Sequence, residues 1–244
     1  MLFKKNDKPN LLGFDDDKRY EFIEAWWAMK PADRLQLVTC ELRKASIEYK
    51  PITDLSDSSQ ISPYIIEAYK LQQDIEEGYT DELDELIESF RDPDIGMLLE
   101  LLIPDKRVVV GGSPFSECSD LSEVASVYPR IWRSMLSLFD VNINLSAFEV
   151  KIDGKKPEGD AEPEFKKIEV KFDYEGKIFK YKYKKHWVYE EALDFDVISD
   201  IEKFAKKRGV QDFFFKIVGN FDDCYFLLPA TVIEALDKYA DHAG

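Results

Sequence analysis

Apolar residues recur at helical spacing through the first 145 residues and then switch to strict alternation. Lys18 to Met29 predicts a first helix, with Phe22, Ile23, Trp26 and Trp27 on one face. Pro31 suits the first turn of a second helix running to about Ser46 and burying Leu35, Val38 and Leu42. Ser62 as cap and Pro63 at the first helical position predict a third, ended by Gly78 and carrying Tyr64, Ile65, Ala68, Tyr69, Leu71 and Ile75 as its apolar stripe. Thr80 is placed to cap a fourth, in which Leu83, Leu86, Ile87 and Phe90 fall at i, i+3, i+4 and i+7. Asp92-Pro93 opens a short fifth helix with Met97, Leu98, Leu101 and Leu102 apolar, and Pro104 stops it. Val108 to Val110 reads as a short strand ending in Gly111-Gly112. A further helix is expected from Asp120 to Phe139, shortened or bent by Pro129.

From Ser146 the period is two. Phe148, Val150 and Ile152 alternate with charged residues. After a polar connection from Gly154 to Glu164, expected to be mobile, Ile168, Val170, Phe172 and Tyr174 alternate with Lys167, Glu169, Lys171 and Asp173. Glu175-Gly176 predicts a tight turn, and the return strand alternates Phe179, Tyr181 and Tyr183 with lysines. Asp196 is placed to cap a helix with Val197, Ile198, Ile201, Phe204 and Ala205 inward, closed by Lys206-Lys207-Arg208-Gly209. Phe213–Val218 and Cys224–Leu228 form a second hairpin, and Pro229 opens a last helix. The expected fold class is α+β: a mainly helical acidic region over 1–145, then a β-β-β-α-β-β-α region over 146–244, an antiparallel sheet with helices packed on one face.

Charge adds what periodicity lacks. Between Leu71 and Asp105 lie twelve acidic residues and one base, Arg91, a net −11 out of −16 for the whole chain. Residues 1–145 carry net −12 and residues 146–244 net −4. Such a balance disfavours direct contact with nucleic-acid phosphates and anionic membranes, and no run of about eighteen apolar residues predicts a membrane span. The N-terminus lacks the apolar segment of a secretory signal. Three widely spaced cysteines, Cys40, Cys118 and Cys224, make neither a disulfide framework nor a zinc site, which together point to a reducing cytoplasm.

Catalytic patterns fail one by one. Only two histidines occur; His242 lies near the C-terminus, and His186 follows two lysines with no serine or cysteine motif. Gly111-Gly112-Ser113-Pro114 lacks the flanking glycine of a nucleophile elbow and the Gly-Lys-Ser/Thr step of a phosphate loop. A calcium loop begun at Asp74 would need its glycine at the sixth position, and Gly78 falls at the fifth. Asp15-Asp16-Asp17 reads as a charged helix entry, and Cys118 and Cys224 as core residues. No catalytic residue, metal site or cofactor is predicted.

The acidic helix remains. Asp81, Asp84, Glu85 and Glu88 set like charges three and four apart without interspersed cations, a local cost that ordinary solvated helices avoid. The expected site is therefore a partner-binding face of Asp74, Glu76, Glu77, Tyr79, Asp81, Glu82, Asp84, Glu85 and Glu88, with Tyr79 or Tyr64 as an aromatic anchor. In charge and architecture, though in no motif, the chain resembles bacterial immunity proteins. That resemblance implies a non-enzymatic antagonist of a basic toxin or nuclease. Two alternatives are a carboxylate-dependent hydrolase with a pocket between the halves, and a scaffold or regulatory subunit pairing through the edge strand Phe179–Lys184.

Overall fold

A computed structural model describes residues 16–69, 71, 80–111, 121–141, 144, 147–155, 164–184, 195–218 and 222–240. In chain order its elements are α1 (Asp16–Ala28), α2 (Pro31–Lys44), α3 (Ser58–Tyr69), α4 (Asp81–Ser89), α5 (Ile95–Leu102), β1 (Arg107–Gly111), α6 (Leu121–Ser137), β2 (Phe148–Lys155), β3 (Glu164–Tyr174), β4 (Lys177–Lys184), α7 (Phe195–Lys206), β5 (Asp212–Val218), β6 (Asp222–Pro229) and α8 (Ala230–Leu236). The fold is α+β. Two compact units comprise Met1–Pro104 with Pro229–Ala243, and Asp105–Leu228. These bounds differ from the sequence division at 145/146, because β1 pairs with β6 and α6 packs on the later strands, while α8 returns to the helices of the first unit.

In the first unit, Leu35, Val38 and Leu42 turn inward from α2 as their spacing predicts, joined by buried Arg34. The second helix boundary is less legible. α3 begins at Ser58, so Pro63 lies inside it and Ser62 is not its cap. Asp57 starts that helix instead: its carboxylate accepts from the Ser59 backbone N–H at 3.0 Å and the Ser59 hydroxyl at 2.6 Å. Those bonds to the charged form hold its carboxyl below the usual range, the Ser59 hydroxyl first. Ser62 donates to the Ser58 carbonyl at 2.6 Å. Asp94, not Asp92, caps α5 through the Met97 N–H at 2.7 Å. At the far end of the chain, α8 contributes buried Val232 and Leu236, and Tyr239 just beyond it packs edge-on to Phe22 at 5.8 Å.

In the second unit the strands divide between two antiparallel three-stranded sheets, β1-β6-β5 and β2-β3-β4, where a single sheet was expected. The alternating residues meet in register: Phe148 opposite Phe172 opposite Phe179, and Val150 opposite Val170 opposite Tyr181. Glu175 and Gly176 take φ of 52° and 73°, the left-handed pair of a tight hairpin turn. Helices α6 and α7 cover one face of that sheet. Trp132 of α6 sits at the centre, 4.6 Å from Tyr181 and 5.2 Å from Phe172 between ring centroids. Burial pushes the Tyr181 phenol up to about 12 and raises that of Tyr183 as well. Of the two expected effects of Pro129, shortening or bending, the first does not occur: α6 runs from Leu121 to Ser137 with Pro129 inside it. Its inward residues Val127, Tyr128, Ile131, Trp132, Met135 and Leu136 all join the core, and that burial outweighs one missing N–H bond.

The opposite face of β2-β3-β4 is an ion-pair lattice. Glu149 meets Lys151 at 2.9 Å and Lys171 at 3.1 Å, and Glu169 meets Lys180 at 2.6 Å. Hydrogen bonds from these lysines hold both carboxyls below their usual range. Gly209 closes α7 with φ of 87°, as expected. Arg208 beside it stacks on Phe204, 3.6 Å from the ring centroid, and on Tyr174 at 4.6 Å, a use of its planar cation that the helix-end reading did not foresee.

Candidate functional site

Helix α4 carries the candidate surface. Its apolar side is set by Leu83, Leu86 and Ile87, half-buried, and by Phe90 just beyond, which is fully buried; the helix packs against α3. That fixes the rotation of the helix and turns Asp81, Asp84, Glu85 and Glu88 outward, all exposed. Of these, only Glu88 pairs with a described residue, Arg91 at 2.7 Å. Thr80 stands at the cap position without accepting a side-chain cap bond. Asp81 in the first turn instead faces the positive end of the helix dipole, which offsets part of the repulsion among the four. Asp74, Glu76, Glu77 and Tyr79, and the side chain of Glu82, lie outside the described residues. So do His186, His242 and Cys118. Tyr64 is half-buried, with the Lys50 ammonium 5.4 Å from its ring centroid, and Lys50 also pairs with Glu67 at 3.1 Å.

Sequence reasoning missed the group that organises the ground beside this face. Arg34 is 1% exposed. Its Nε donates to the Trp26 carbonyl at 2.9 Å, which also accepts the Met29 N–H at 3.0 Å, and Nη2 donates to the Trp27 carbonyl at 3.0 Å, both in the last turn of α1. Its Nη1 donates to the Pro93 carbonyl at 3.1 Å and meets Asp92 Oδ1 at 2.7 Å. One planar fork thus ties the end of α1 to the segment that follows α4. Its guanidinium carbon also lies 4.8 Å from the Trp27 ring centroid. The available signal was an arginine four residues before Val38 and eight before Leu42, on the stripe that periodicity assigned to the core.

Other candidate chemistry is slight. Among the described residues no three His, Cys, Asp or Glu side chains gather as metal ligands. A shallow depression of about 140 Å³ is lined by Ser199, Glu202, Lys203, Lys206, Val210, Gln211, Asp212 and Phe213. Desolvation raises the Glu202 carboxyl, but that carboxylate accepts the Phe214 N–H at 2.8 Å and so serves the joint between α7 and β5. Cys224 is buried and Cys40 exposed. No described helix is long and apolar enough to cross a membrane. No protein-family model, curated protein or solved structure matches the chain.

Proposed function

We propose that this is a non-enzymatic, cytoplasmic binding protein whose acidic helix α4 engages a basic protein partner, in the manner of an immunity-type antagonist of a toxin or nuclease. The observation that carries the reading is the outward row Asp81, Asp84, Glu85 and Glu88, held in place by an apolar underside and answered, among the described residues, by one arginine. Four carboxylates on one rigid face project a negative potential that steers a cationic protein into encounter, and phosphate-bearing partners are repelled by the same field.

The test begins with capture from the native host's lysate at low and high salt, with mass spectrometry of what is retained. A basic protein held at low salt and released at high salt is then measured against the triple reversal Asp84→Lys, Glu85→Lys, Glu88→Lys. Association is expected to slow by at least tenfold while dissociation changes little. An association rate that ignores both salt and the reversal would sink the proposal.

A further inference from the structure

Three large apolar side chains stand exposed among the described residues: Tyr20 at 68%, Trp27 at 48% and Ile178 at 66%. Ile178 sits by the β3–β4 turn. Tyr20 and Trp27 are seven residues apart on α1, with exposed Glu24 between them, so the three share one helix stripe about 10 Å long. That stripe belongs to the same compact unit as α4. It ends beside Asp92, because Trp27 and Asp92 both rest on the Arg34 guanidinium, the ring at 4.8 Å and the carboxylate at 2.7 Å. The Asp92 side chain stays 69% exposed while it neutralises Arg34.

We infer that Tyr20, Glu24, Trp27 and Asp92 form the anchoring surface for the basic partner, seating arginine side chains of that partner along the exposed indole and phenol with their cationic heads on the two carboxylates. The inference rests on the reading of α4 above and names the anchor that reading needs, in place of Tyr79 or Tyr64. Exposed aromatics singly are ordinary; here two lie in line, flanked by carboxylates and with no exposed base between them. Tryptophan is the best cation–π acceptor, and an arginine stem covers its apolar area while the guanidinium finds a carboxylate. Trp27 is also pre-ordered, since Arg34 grips both its carbonyl and its ring, which lowers the entropy lost when a partner packs on it. Glu24 between the two rings and Asp92 beside Trp27 repel phosphates, so the partner is a basic protein segment and not a nucleic acid.

The experiment titrates the full-length protein with a synthetic oligo-arginine peptide at low salt and at about 0.15 M salt. Affinity is read by calorimetry, and the Trp27 indole N–H by two-dimensional NMR, its peak assigned from Trp27→Phe. The peptide is expected to shift that peak. Trp27→Ala should weaken binding about tenfold, Trp27→Phe less, and Tyr20→Ala, a residue whose removal leaves the Arg34 joint intact, a few-fold. The α4 triple reversal should slow association while the Trp27 peak still responds. If the peptide binds the wild type and the Trp27→Ala and Tyr20→Ala variants equally, with the Trp27 peak unmoved, the anchor is overturned and the acidic-face reading stands. If no peptide binds even at low salt, the acidic-face reading falls and takes the anchor with it.

Discussion

Arg34 shows what one side chain does when its charge is used for geometry. Burying a guanidinium is costly unless its nitrogens find acceptors, and here three carbonyls and a carboxylate serve all three. The solvent-facing Asp92 loses little if the arginine is removed, but the carbonyls of Trp27 and Pro93 lose the Arg34 donor and that of Trp26 keeps only the Met29 N–H. Arg34→Met is therefore expected to destabilise the first unit by about 3 kcal/mol, and Arg34→Lys to recover less than half, since an ammonium cannot span three acceptors set around a planar fork. Chemical denaturation with the α1 amides followed by hydrogen exchange checks this. Equal stability of Arg34→Met and wild type would show that the fork is incidental. Sequence reading placed Leu35, Val38 and Leu42 correctly on the buried stripe of the same helix. It passed over Arg34 because no local pattern tells an arginine inside an apolar stripe from one at its rim.

At the scale of elements, the β3–β4 hairpin is where local chemistry speaks most clearly. Alternation sets the inward face, and the Glu175-Gly176 turn supplies the two positive φ values that close it. A Cβ on Gly176 would meet nothing within 4 Å, so Gly176→Ala carries only the backbone cost of the left-handed region. It should lower stability by about 1 kcal/mol, and Glu175→Asn, whose side chain tolerates that region, should raise it by a few tenths. Thermal unfolding of both variants tests the pair; a neutral Gly176→Ala would contradict the turn geometry. Helix boundaries are less legible in the sequence than helix faces. Ser62-Pro63 carries a good start signal, yet Asp57 offers a carboxylate to Ser59 one turn earlier, and the packing of Ile61 and Ile65 retains the extra turn. Pro129 within α6 makes the same point: six inward apolar residues on a sheet outweigh one breaker.

For the whole molecule, chain order and spatial order part company. The first unit is discontinuous, closed by α8 from the far end, where Val232 and Leu236 are buried and Tyr239 lies 5.8 Å from both Phe22 and Trp26. Truncation after Leu228 should therefore cost the first unit on the order of 5 kcal/mol. The amides of α1 and α2 are expected to lose hydrogen-exchange protection while those of β2, β3 and β4 keep theirs; unchanged protection in α1 would show that α8 is dispensable to it.

What the sequence determined by itself follows from its two periods and its charge. A 3.6-residue stripe names the faces of α2, α4 and α7, a two-residue alternation names the inward face of β2, β3 and β4, and the clustering of acids names α4 as the outward negative surface, because periodicity and charge are carried by neighbours in the chain. Only tertiary structure decided that the strands form two sheets, that β1 pairs with β6 and α8 joins the first unit, and that Trp27 stands outside while Arg34 lies within. Those outcomes depend on which distant surface each element meets, as in the 59-residue separation between Arg34 and the carbonyl of Pro93, and no local spacing encodes such a partner.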